Sequence, residues 1–175
     1  MWKILFILGE SWAGKTSLEN VLIKDYGYRT LDKLSSRPPR NDGSGYMHFQ
    51  AREIADMYMD GLVHEFIKYD GNAYAFRIPS HKDDDKFCVS IVEAWFQQFI
   101  DMGIEDTFEV QSIFLTNSKC EQNMRKRWDS EESIQSRLKL NERMKRWRWR
   151  HIEIDASCET SQLVTRIQNL LPTFF

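Results

Sequence analysis

Trp2-Lys3-Ile4-Leu5-Phe6-Ile7-Leu8-Gly9-Glu10-Ser11-Trp12-Ala13-Gly14-Lys15-Thr16-Ser17 is the stretch on which the fold turns. The unbroken apolar run over residues 4–8 reads as a strand buried on both faces. It runs into G-x-x-x-x-G-K-T and then into a helical pattern from about residue 17. Strand, glycine loop and helix in that order are the setting of a phosphate-binding loop. Gly9 and Gly14 let the backbone turn tightly, so that its N–H groups and the helix N-terminus form an anion cradle. The motif assigns Gly9, Glu10, Ser11, Trp12, Ala13, Gly14, Lys15, Thr16 and Ser17 to ATP. Lys15 would reach the β- and γ-phosphates, and the Thr16 hydroxyl would hold Mg²⁺. A chance match in a glycine turn is the bland alternative, and the flanking elements weigh against it. A loop kept on a domain that does not catalyse stays open.

The rest of the chain sets bounds on what surrounds that loop. With 175 residues there is enough chain for one domain with a real core. Hydrophobic residues at 42% and charged residues at 29% are those of an ordinary soluble globular protein. A net charge of −2 argues against nucleic acid as a partner of the whole chain. Cys88, Cys120 and Cys158 are too widely spaced for a disulfide framework or a zinc site, so free thiols in a reducing compartment are expected. Met1-Trp2-Lys3 leads directly into the first strand, and no apolar run reaches membrane-spanning length. The expectation is a cytoplasmic protein without a membrane partner, working as a monomer or homodimer.

Beyond the loop, Leu18, Val21, Leu22 and Tyr26 recur at helical spacing and Gly27 is a helix stop. Residues 28–31 are a strand candidate. Prolines 38 and 39 and glycines 43 and 45 make residues 34–46 a loop. Arg37 and Arg40 on that stiff loop suit an oxyanion, because a guanidinium offers forked donors; a solvated basic loop explains them equally well. Residues 51–60 read as a helix with Ile54, Met57 and Tyr58 inward. Residues 62–69 and 73–76 read as strands around Asp70-Gly71-Asn72, with Val63, Glu65 and Ile67 on one side. Strands are expected over 87–92, 108–115 and 151–155. Helices are expected over 93–102, 119–127 and 130–147, the last capped by Asp129, with a final helix through Leu163, Ile167, Leu170 and Leu171. Strands alternating with helices predict an α/β fold, a parallel sheet with helices on both faces.

Several of these motifs, in this order, resemble those of guanylate kinase, a nucleoside monophosphate kinase. They are the glycine loop; Ser36-Arg37-Pro38-Pro39-Arg40 followed by Tyr46; Gly61-Leu62-Val63-His64-Glu65-Phe66 through Asp70-Gly71-Asn72-Ala73-Tyr74; and Met124-Arg125-Lys126-Arg127 through Arg137-Leu138. The resemblance covers most of the chain. It implies one P-loop kinase domain: a core of residues 1–31 and 87–175, a small antiparallel monophosphate-binding insertion at about 32–86, and an arginine-bearing lid at about 123–137. It also implies roles. Arg37, Arg40, Tyr46 and Tyr74 would hold the 5′-phosphate of an acceptor, and Glu65 would accept hydrogen bonds from the base. Lys15, Arg127 and Arg137 would act on the transferring group, with ATP and Mg²⁺ as cofactors.

The departures from the pattern are specific. Trp12 stands where the family usually has glycine, and Asn123 replaces an early lid arginine, leaving Arg125 nearby to face ATP. Lys33, Phe76 and Ser90 occupy base-reading positions. Ser90 and Val92 replace strand aspartates, which makes Ser90 the substrate-side candidate there and Glu93 the nearest acid. GMP or dGMP leads as acceptor. Another (deoxy)nucleotide, a modified pyrimidine monophosphate or a base in DNA are alternatives, the last suggested by Lys145-Arg146-Trp147-Arg148-Trp149-Arg150-His151, where basic residues alternate with tryptophans. A non-catalytic binding module is the remaining alternative.

Overall fold

The structure is a computed structural model and describes residues 2–10, 12–39, 45–63, 65–69, 71–79, 85–126, 130–144 and 151–175; at 65–67, 69, 94, 133, 140, 143 and 144 it describes the backbone alone. β1 (Trp2–Gly9) is an inner strand of an all-parallel sheet in the order β6 (Lys86–Ser90), β1, β7 (Phe108–Thr116), β8 (Ile152–Asp155). Its apolar run is sorted by the two-residue period of a strand. Leu5 and Ile7 pack with Leu18 and Leu22 of α1 (Lys15–Tyr26) and with Leu163, Val164 and Ile167 of α6 (Thr160–Leu170). Ile4, Phe6 and Leu8 pack on the opposite face with Trp95 and Phe99 of α3 (Glu93–Asp101). Both faces are covered, which is why no polar residue interrupts residues 4–8.

A second, smaller sheet has the order β3 (Tyr46–His48), β2 (Asp32–Ser35), β5 (Asn72–Arg77), β4 (Glu65–Tyr69). It is mixed rather than antiparallel: β2 pairs antiparallel with β5 but parallel with β3. α2 (Ala51–Met59) covers one side of it, with Ile54 against Leu34, Val63, Ala73 and Ala75. On the other side Tyr74 and Phe76 join the cluster around α3, so the two sheets share a core. The segment expected to act as a lid, about 123–137, takes in the end of α4 (Cys120–Lys126) and the start of α5 (Glu131–Met144).

Gly27 ends α1 in the left-handed region, φ 70°, as its place after the last periodic residue predicts. Three expectations fail locally. Residues 28–31 make no strand, only a bridge from Arg29 to Phe87; pairing starts at Asp32 and runs through Ser35, into the expected loop. Tyr58 is exposed rather than inward. Val63 sits in the bend before β4 and packs with Ala73 and Ala75, whereas Glu65 pairs in register with Phe76, so the alternation does not carry from Val63 to Glu65. Among the described residues no helix is long and apolar enough to cross a membrane.

Candidate functional site

The glycine loop leaves the C-terminal end of β1. A Cβ on Gly9 would lie 2.4 Å from the Leu115 carbonyl oxygen, so only glycine lets β1 run this close to β7. The Glu10 N–H then donates to that same carbonyl at 3.1 Å. The Glu10 carboxylate turns toward the end of β7, accepting from the Asn117 N–H at 3.2 Å and lying 3.6 Å from the Cys120 sulfur. Glu10 therefore anchors the loop by its side chain. Gly14, at φ 90°, delivers the chain into α1. Lys15 folds back across the loop and donates to the Gly9 and Glu10 carbonyls at 2.8 and 2.9 Å. Burial lowers its pKa to about 8; the Cys120 sulfur and the Glu10 carboxylate oppose that shift, and Arg137 adds to it. Burial and Glu10 push the Cys120 thiol the other way, up to about 12, so it is no nucleophile at neutral pH.

Beside the loop lies a cleft of about 590 Å³, lined by Trp12, Ala13, Gly14, Lys15, Thr16 and Ser17 on one side and by Asn20, Asn117, Asn123, Lys126, Ala156 and Thr160 on the others. The loop residues were legible from the motif. The others were missed, because they reach the cleft from α1, from the ends of β7 and β8, from α4 and from α6. The run Arg125-Lys126-Arg127 was the one signal available for Lys126. Arg125 does not line the cleft; it is held by Glu121 at 2.9 Å and Glu131 at 2.7 Å. Arg137, on α5, has its guanidinium carbon 6.0 Å from the centre of the Trp12 ring. Ser11, Arg40, Arg127, Asp129 and residues 145–150 lie outside the described residues.

Three of the acceptor-side candidates, Arg37, Tyr46 and Tyr74, come together at the small sheet. The guanidinium carbon of Arg37 lies 6.0 Å from the Tyr46 ring centre, and Tyr46 meets Tyr74 edge-on at 5.9 Å. His48 Nδ1 donates to the Arg37 carbonyl at 2.7 Å and so braces the loop. Tyr74 packs on Trp95 at 5.0 Å, and Phe76 packs on Trp95 and Phe99 at 5.3 and 5.4 Å. Lys33, Phe76 and Glu65 stand in register across β2, β5 and β4; Glu65 is described by its backbone alone.

Sequence reasoning missed Glu19, which organises this end. Buried on α1, it takes Lys33 Nζ at 2.6 and 2.8 Å, the Thr30 hydroxyl at 2.8 Å and the Ser90 hydroxyl. Lys33 and Ser90, both expected at base-reading positions, thus donate to one carboxylate supplied by the helix. Glu93, the expected nearest acid, is also engaged. The first turn of α3 carries it to His151, whose Nε2 lies 3.0 Å from both carboxylate oxygens while Nδ1 meets the Ser112 hydroxyl at 2.8 Å. Among the described residues no three His, Cys, Asp or Glu side chains converge as a metal site. A Mg²⁺ carried in by phosphates needs few protein ligands, and the Thr16 hydroxyl in the cleft suits that role.

No family model and no curated protein matches the sequence. Among solved structures, a guanylate kinase from Anaplasma phagocytophilum superposes with a TM-score of 0.71 over 98% of this chain and 85% of its own, at 18% identity. A gluconokinase from Sinorhizobium meliloti 1021 reaches only 0.49 at 15% identity, over 93% and 87% of the two chains, too weak a likeness to carry weight. The parallel sheet, the covering helices and the small second sheet give this chain a guanylate-kinase-like fold.

Proposed function

We propose that this chain is an ATP-dependent nucleoside monophosphate kinase, passing the γ-phosphoryl group of ATP to a (deoxy)nucleoside monophosphate. One observation carries the reading: Lys15 lines the glycine-loop cleft, and Arg137 lies over the ring of Trp12, which lines the same cleft. Phosphoryl transfer needs positioning and charge neutralisation more than covalent help, and that is what these groups offer. Lys15 has only to leave two carbonyls to meet phosphate oxygens. Mg²⁺, held by Thr16 and the phosphates, would neutralise charge on the transferring group. Arg37, Tyr46 and Tyr74, with Arg40, would grip the acceptor phosphate, which is already a nucleophile at neutral pH. Arg127 and Arg137 would close over the reacting group. The insertion and lid take their functional division from the same reading.

GMP and dGMP are the first acceptors to test, because Glu65 can pair with an N–H edge of the base. The engagement of Lys33 and Ser90 by Glu19 favours a second reading, an acceptor with another base. A panel of ribo- and deoxyribonucleoside monophosphates with ATP and Mg²⁺, followed by ADP release, tests both. Turnover of one monophosphate, lost in Lys15→Ala, supports the proposal. ATP binding without turnover of any monophosphate points to the non-catalytic module instead.

A further inference from the structure

We infer that Trp12 is a positioning residue that seats the lid arginine Arg137 beside the phosphate-binding loop; this rests on the kinase reading above. Two independent observations carry it. Trp12 has φ 70°, and among the described residues it is the one non-glycine side chain with positive φ. Glycine adopts that conformation freely, and a side chain adopts it only against steric resistance. Such strain persists where the surroundings gain from it. Here the indole lines the cleft and presents its ring to Arg137, with the guanidinium carbon 6.0 Å from the ring centre.

The choice of an aromatic face has a consequence for chemistry. A guanidinium over a ring is attracted by the ring quadrupole, and that contact consumes none of its N–H donors. The forked donors are left to the reacting phosphoryl oxygens as far as Trp12 is concerned. Arg137 is also close enough to Lys15 for its charge to act on that lysine. Seating Arg137 there before nucleotide arrives removes part of the ordering needed when the lid closes.

The test is a double-mutant cycle on the full chain, read as kcat and as ATP affinity by calorimetry, with whichever monophosphate the wild type turns over. Trp12→Leu should lower kcat by roughly three- to thirtyfold, the range of a cation–π contact, and change ATP affinity less. Trp12→Phe should recover most of the loss. In an Arg137→Ala background, Trp12→Leu should add nothing, because the partner it positions is gone. Equal losses in both backgrounds, no loss in Trp12→Leu, or a Phe variant as poor as the Leu variant overturns the inference and leaves the kinase reading standing. A wild-type chain that turns over no monophosphate overturns both.

Discussion

The two ends of the candidate site handle their polar groups in opposite ways. At the loop end, Lys15 rests on two backbone carbonyls that any phosphate can replace, and Arg137 lies over an aromatic ring. At the acceptor end, Lys33 and Ser90 are held by the buried carboxylate of Glu19, and Tyr74 and Phe76 are packed against Trp95. Lys15 rests on groups that a phosphate can displace, whereas Lys33 has a resident counter-ion. On the kinase proposal, the contrast teaches that a glycine loop open to phosphate can stand beside an acceptor end whose polar groups are paired within the protein.

The largest expected effect comes from Lys15. Lys15→Met should lower kcat by roughly a hundredfold to a thousandfold, as loss of a donor to transition-state oxygens does. It should not destabilise the fold. The folded pKa of about 8 lies below the ordinary 10.5, so the unfolded chain binds more protons between those values and the charged lysine opposes folding below pH 8. That penalty, at most about 3 kcal/mol, fades as pH rises from 8 toward 10.5. The melting temperature of the wild type should therefore gain on that of Lys15→Met across this window; a gap that is flat with pH contradicts the burial argument.

Glu19 should show the reverse pattern, with stability lost and ATP affinity kept. Lys33 and Glu19 are both nearly inaccessible, so Glu19→Leu leaves an uncompensated ammonium and should cost about 3–5 kcal/mol in urea unfolding. Adding Lys33→Met should restore much of it. Failure of the second change to rescue the first would mean that Glu19 acts through Thr30 and Ser90 rather than through the ion pair.

Smaller effects separate the two substrates. Arg37→Ala removes a charge-assisted contact worth about 1.5–3 kcal/mol and should raise the KM of the monophosphate roughly ten- to a hundredfold without moving that of ATP. Equal effects on both substrates would erase the division into two ends. Glu65→Gln turns one acceptor into a partial donor and should depress turnover of the preferred monophosphate by roughly tenfold, with ATP binding unchanged. Lost stability with an unaltered base preference would make Glu65 a structural residue.

The loop end was legible because its chemistry is contiguous: strand, glycines, lysine and threonine fall within residues 4–16 and need only local geometry. The acceptor end was not, because its partners meet through tertiary packing. Glu19 reads as one more polar residue of α1, yet Lys33 lies 14 residues and Ser90 71 residues away from it. The hairpin of β4 and β5 was visible in Asp70-Gly71-Asn72, but the parallel pairing of β2 with β3 leaves no period in so few residues. Periodicity misled at Tyr58, which lies near the end of a short helix, and at Val63, where a bend interrupts the alternation before Glu65. Trp12 departs visibly from a glycine position, but its positive φ and its contact with Arg137 emerge only in three dimensions.

The central claim is that the group leaving ATP arrives on a monophosphate. Phosphorus NMR of the wild-type chain with ATP, Mg²⁺ and each monophosphate in turn tests it most directly. The account predicts that ATP and one monophosphate are consumed in equal amounts, that two nucleoside diphosphates appear for each ATP lost, and that no inorganic phosphate forms. ATP consumed to ADP and inorganic phosphate with every monophosphate intact, or ATP left untouched throughout, would contradict it.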